Sequence, residues 1–193
     1  MRAEDRAYTS TNLPSWKVGF WTFIASECLF FGTLISTYMV YKGASVQGPL
    51  PREILNIPLT SVSTFVLLMS SLAMVLALDG VTRGKRGPAV GWLAAVIALG
   101  LVFLGLQAYE FTHFVREGLT IQRNVFGSSF FVLTGFHGAH VSVGVIWMTT
   151  LLLMSASGKL PPSKALSVEI AGLYWHFVDV VWIIIFTFIY LIR

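Results

Sequence analysis

A chain of 193 residues that is 55% hydrophobic and only 11% charged, with mean hydropathy +0.76, cannot cover a water-facing surface; soluble domains carry roughly 25% charged residues. Lipid is the remaining solvent. A hydrocarbon core of ~30 Å needs about 20 apolar residues per helical crossing, so the length allows roughly five to seven crossings and no separate soluble domain. The net charge of +4 comes from basic residues at segment ends and in short connections, an arrangement that argues against nucleic acid as a partner. The single cysteine, Cys28, excludes an intrachain disulfide or a cysteine zinc site and reads as a small buried hydrophobe.

Residues 1–16 are polar, carry both charges and lack the apolar core of a signal peptide, so the first span is expected to serve as its own insertion signal. Five apolar runs of bilayer length follow, at about 18–41, 58–78, 89–111, 125–154 and 168–192. Glu27 alone interrupts the first. The second mixes serine and threonine with leucine and valine, and a basic turn over 79–88 follows it. The third ends in Gln107, Glu110 and His113. The fourth is long enough to tilt or to emerge from the membrane. None of the runs alternates apolar with polar residues over ~10 positions as barrel strands do, so the expected fold is all-α, an integral membrane bundle of five transmembrane helices over 17–193.

Five crossings place Arg2, Arg6, Lys17, Arg83, Lys85, Arg86, Lys159 and Lys164 on one side, against Lys42, Arg52, Arg116, Arg123 and Arg193 on the other. The excess puts the N-terminus in the cytoplasm and the C-terminus outside. Gly100, Gly105, Gly127, Gly135, Gly138 and Gly144 are read as positions where helix backbones approach closely. Trp16, Trp21, Tyr38, Tyr41, Trp92, Tyr109, Tyr174 and Tyr190 lie toward span ends and read as an interfacial belt.

Ionisable groups at membrane depth cost at least ~2.5 kcal/mol on insertion scales, so each needs a partner or a purpose. Glu27 has phenylalanines at helical spacing around it, and its partner is expected from another helix, a lipid headgroup or water. His137 and His140 share a face, as do His176 and Asp179, beside Trp175 and Trp182. Two His-containing pairs and two glutamates could form a bundle metal centre. The favoured reading is that these groups bond across the bundle and set helix register. Glu27 and Glu110 are expected near opposite faces, which disfavours a shared ion. A lone transporter would need a continuous polar path, and spans two and three offer few polar residues at mid-depth.

Several stretches look familiar. Ser26-Glu27-Cys28-Leu29-Phe30-Phe31-Gly32, Leu106-Gln107-Ala108-Tyr109-Glu110, Phe130-Phe131-Val132-Leu133-Thr134-Gly135-Phe136-His137-Gly138-Ala139-His140-Val141 and Tyr174-Trp175-His176-Phe177-Val178-Asp179-Val180-Val181-Trp182 stand in order. Together with Phe126-Gly127-Ser128 and Glu169, they resemble subunit III of the haem–copper respiratory oxidases over residues 17–192. Seven-span members have two more N-terminal helices that form a lipid-holding cleft. This chain is similar to the five-helix form of bacterial cytochrome c and quinol oxidases, whose cleft another subunit or lipid would complete.

The resemblance implies a non-catalytic subunit of a proton-pumping oxygen reductase in the bacterial plasma membrane, bound to subunit I and near subunit II. Haem and copper would belong to those partners, with no catalytic residue or metal in this chain and phospholipid bound to it. Glu27 matches the family's intramembrane carboxylate, tied to lipid binding and proton-uptake support. Glu110, His137, His140, Glu169, Trp175, His176 and Asp179 would form the polar packing core. A paralogue attached to a nitric oxide reductase and an independent membrane metalloenzyme remain the alternatives. The electron donor is read by subunits I and II, so this chain leaves cytochrome c and quinol open.

Overall fold

The computed structural model describes residues 15–44 and 55–192, so Arg2, Arg6, Arg52, Arg193 and most of the 1–16 segment lie outside it. Five long helices follow one another: α1 (Ser15–Tyr41), α2 (Ile57–Thr82), α3 (Arg86–Arg116), α4 (Val125–Ala156) and α5 (Ala165–Phe186). A 3-10 turn at Pro162–Lys164 leads into α5, and a π turn at Thr187–Leu191 follows it. All five are long and apolar enough to cross a membrane. In hydrocarbon, helices satisfy their backbone groups internally, which is why continuous apolar runs fold this way. At 31 and 32 residues, α3 and α4 exceed the ~20 needed for one crossing and extend beyond the apolar layer or tilt.

The helix ends are set by local chemistry. Asn56 Oδ1 accepts from Leu59 N at 3.1 Å with a proline in the first turn of α2, and Asn124 Oδ1 accepts from Gly127 N at 2.7 Å to start α4. The basic connection expected over 79–88 is shorter: α2 continues through Thr82 and α3 begins at Arg86, leaving Arg83, Gly84 and Lys85 between them. Gly84 adopts φ +68°, which lets Lys85 N reach Gly80 O at 2.8 Å and Gly84 N reach Val81 O at 3.0 Å. Gly118 and Gly158 close α3 and α4 in the same way. Gly84→Val is expected to cost about 1–2 kcal/mol through the left-handed backbone it would have to hold. A lower SDS midpoint for loss of helical signal would register it.

α2 packs along α3, and α3 along α4. α5 occupies the centre, against α2, α4 and α1. α1 is laid on the outside, against α4 and α5, and buries only Ile24, Phe31 and Tyr38, one stripe at seven-residue spacing. Cys28 is exposed on this outer helix, contrary to its sequence reading, because the α1 stripe facing the bundle passes it by.

The glycines divide. The fully buried Trp175 indole fits a slot between α3 and α4 where a Cβ on Gly144 would lie 2.6 Å from Cζ3 and one on Gly100 3.0 Å from Cη2. A Cβ on Gly138 would meet Gln107 Oε1 at 2.7 Å, and one on Gly127 would meet Thr120 O at 2.6 Å. Gly105 and Gly135 face open space, so helical glycine alone does not mark a contact. The aromatic belt is also smaller than expected. Trp16, Trp21, Tyr41, Trp92 and Tyr109 are exposed, whereas Tyr38, Tyr174 and Tyr190 are buried, the last two by hydroxyls that bond inside the bundle.

Candidate functional site: polar clusters and the α1 groove

For reference, the end of the bundle carrying the start of α1, the α2–α3 turn and the α4–α5 connection is the basic end. Here Lys17 of α1 makes an ion pair with Glu169 of α5, both side chains about one-third exposed at 33% and 37%. Glu169 therefore clamps two helix ends and does not belong to the interior polar core.

Deeper along α1, Glu27 finds its partner on another helix. Its Oε2 lies 3.2 Å from His140 Nε2 of α4, with both side chains 18% exposed. His140 Nδ1 lies 2.8 Å from Phe136 O, a carbonyl that can only accept, so Nδ1 carries a proton and points the other nitrogen at the carboxylate. Tyr174 of α5 donates to His140 O at 2.9 Å, and the Phe31 ring meets the imidazole edge-on at 5.0 Å. The pair opens onto an apolar groove of ≈ 600 Å³ between α1 and α4, lined by Phe20, Phe23, Phe136, Val143 and Trp147. A second hollow, ≈ 980 Å³ and reaching Trp16 and Leu166, adjoins it toward the basic end and shares Phe20, Phe23 and Trp147.

α2 supplies the counterparts of α5. Trp175 Nε1 donates to Ser70 Oγ and Trp182 Nε1 to Thr64 Oγ1, each at 2.9 Å. Ser71 Oγ donates to Asp179 Oδ2 and lies 2.8 Å from His176 Nδ1. His137, fully buried, sits 3.2 Å from Val178 O through Nε2 and packs its ring 4.8 Å from that of Trp182. Its Nδ1 and Asp179 Oδ1 have no hydrogen-bond partner among the described residues. Gln107 Nε2 donates to Thr134 O at 2.9 Å, tying α3 to α4. At the end opposite the basic one, Glu110 Oε1 accepts from Thr60 at 2.9 Å and from Tyr190 at 3.0 Å, joining α2, α3 and the π turn.

The titratable residues singled out in the sequence are thus dispersed over separate pairs and networks. Among the described residues no three His, Cys, Asp or Glu side chains converge as metal ligands. Sequence reasoning noted the serines and threonines of the second span but not their role as partners of α5 and Glu110. Thr60, Ser63, Thr64, Ser70 and Ser71 recur at spacings of three, four and seven, the signal of one helix face, and Ser70 and Ser71 put polar groups at mid-depth in a span read as having few of them.

The fold and its interior define a five-helix integral membrane protein whose polar side chains pair across a bundle, with an acid–imidazole pair opening onto a lateral groove. A family model described as cytochrome c oxidase subunit III matches residues 6–192. The chain is 40% identical over 174 residues to the quinol oxidase subunit 3 of Bacillus subtilis, covering 90% of this chain and 85% of that one. It is 42% identical over 177 residues to a probable quinol oxidase subunit 3 of Staphylococcus haemolyticus, covering 91% and 88%. The cytochrome bo(3) ubiquinol oxidase subunit 3 of Pseudomonas putida is 37% identical over 175 residues, covering 91% and 84%. The chain belongs to the cytochrome c oxidase subunit III family, the third subunits of haem–copper terminal oxidases.

Proposed function

We propose that this chain is a non-catalytic subunit that binds phospholipid in the α1 groove and stabilises the haem- and copper-bearing subunits I and II, with subunit I as its direct neighbour. The observation that carries the lipid reading is the Glu27–His140 pair at the deep end of an aromatic groove open to the side. Acyl chains fit its apolar walls. Trp16 and Lys17, near the start of α1, stand at the level of a headgroup. The acid–imidazole pair gives the groove a polar foot that can hold one proton at membrane depth, which supports a role beside proton uptake.

The excess of Lys and Arg at the basic end supports a cytoplasmic N-terminus and an external C-terminus in a bacterial plasma membrane. The names of the three relatives favour quinol as the complex's electron donor. Oxidation of a soluble quinol analogue, but not of reduced cytochrome c, by the purified complex would bear that out.

Glu27→Gln tests the site. It removes the acid and keeps the shape, so the variant oxidase should hold less phospholipid phosphorus per haem and lose activity sooner during sustained turnover. Unchanged lipid content together with unchanged lifetime would remove Glu27 from both roles.

A further inference from the structure

A second polar cluster stands on the flank of the bundle rather than in its interior. Ser71 and His176 lie near the middle of α2 (Ile57–Thr82) and α5 (Ala165–Phe186), hence near mid-membrane, and both are half-buried. α1 and α2 both pack on α5 but are not principal neighbours of each other, and Val180 of α5 is exposed beside α2. The seam's rim is apolar: Leu68 and Val75 from α2, Leu173 and Val180 from α5, with Val75 51% and Val180 53% exposed.

The hydrogen-bond directions leave one atom unserved. Ser71 has a single hydroxyl proton and gives it to Asp179 Oδ2. The contact between Ser71 Oγ and His176 Nδ1 is then made by the ring's own Nδ1–H. In the neutral imidazole, Nε2 is left as a bare acceptor. It meets no partner among the described residues and is not enclosed by them. A polar atom left unpaired in hydrocarbon is costly, so what covers this seam must bring a donor.

We infer that the α2–α5 seam is the docking surface for a transmembrane helix of another subunit of the oxidase, one that presents a hydroxyl, amide or indole donor to His176 Nε2 at mid-membrane. The inference rests on the reading of this chain as one subunit of a larger complex. The chemistry excludes the two other occupants. An acyl chain carries no donor at that depth. A second copy of this chain, related by a two-fold axis through the seam, would set the same acceptor against itself.

The test replaces Val180 with p-benzoylphenylalanine in the tagged chain. The complex is irradiated in native membranes, purified in mild detergent, and its haem content and photoadducts are determined. The expected result is an adduct to a transmembrane segment of another subunit, mapped within a turn of a donor side chain, in a complex that retains haem. Adducts only to phospholipid or to a second copy of this chain, in a haem-containing complex, would overturn the docking surface while leaving the subunit reading intact. A chain that purifies without haem-bearing partners would overturn both. In a parallel variant, His176→Leu should weaken retention of the chain with its partners by about three- to thirty-fold, the range for one interhelical hydrogen bond. His176→Gln, which keeps an acceptor, should recover most of it. Equal retention of the leucine variant would overturn the hydrogen bond.

Discussion

Gly144→Ala is expected to destabilise the bundle by about 1–3 kcal/mol, the cost of forcing one extra methyl group into a closed core. Its Cβ would lie 2.6 Å from Cζ3 and 2.7 Å from Cε3 of Trp175, and the same position approaches Tyr174 Cε1 at 3.3 Å. The indole cannot retreat without consequence. It is fully buried, held by its bond to Ser70 Oγ, and backed on the α3 side by Gly100, where a Cβ would already stand 3.0 Å from Cη2. Relief must come from separating α4 from α5 or from breaking the tryptophan–serine bond. Gly105→Ala is the matched control. Nothing lies within 4 Å of its Cβ position, so that variant should be neutral or slightly stabilising through helix propensity. SDS titration of the two variants, followed by helical circular dichroism, should shift the midpoint down for the first and not for the second. Equal midpoints would mean that the slot around Trp175 is not tight.

Glu110→Ala is expected to loosen the end of the bundle opposite the basic one, by about 1–3 kcal/mol for buried donors that lose their acceptor. The carboxylate takes protons from Thr60 of α2 and Tyr190 of the π turn, so one side chain on α3 joins three elements. Thr60 can turn its hydroxyl to Asn56 O, 2.9 Å away. Tyr190, 1% exposed, cannot turn to water, so the π turn loses the bond that ties it to α3. Glu110→Gln keeps an acceptor oxygen in the same place and should recover most of the loss. Hydrogen exchange at residues 187–191 would report it, faster in the alanine variant and near the parent rate in the glutamine one. If both variants exchange like the parent, the cluster does not hold the π turn.

Much of this protein is legible in its sequence. The count of five helices, their approximate limits and their membrane setting follow from hydropathy, because a span must be continuous and about 20 residues long to cross the apolar layer. The motifs around His137–His140 and Tyr174–Trp182 carried the family. The α2–α3 connection is shorter than the sequence suggests because the apolar run stops at Leu78, yet α2 runs on through Asp79 and Thr82 to the Gly84 turn.

The pairing of the polar residues was another matter. In water, an apolar stripe on one face of a helix tells which face is buried. In lipid, both faces are apolar, and that stripe disappears from the sequence. Ile24 and Phe31 cannot be told from Leu29 or Val40 on α1 by hydropathy, though the first two are buried and the latter two are 75% and 71% exposed. What marks the inner faces is small and polar side chains, and their partners lie far off in the chain: Glu27 with His140, Ser71 with Asp179, Glu110 with Tyr190. The sequence by itself determined the number of spans, the solvent around them and the family. Only the packing of α5 among α1, α2 and α4 decided that Glu27 meets an imidazole beside a groove, that Glu169 clamps helix ends at the surface, and that His176 meets Ser71 on the flank of the bundle. The physical reason is that a hydrogen bond in lipid needs a specific partner across a helix interface, and no local propensity encodes which residue that is.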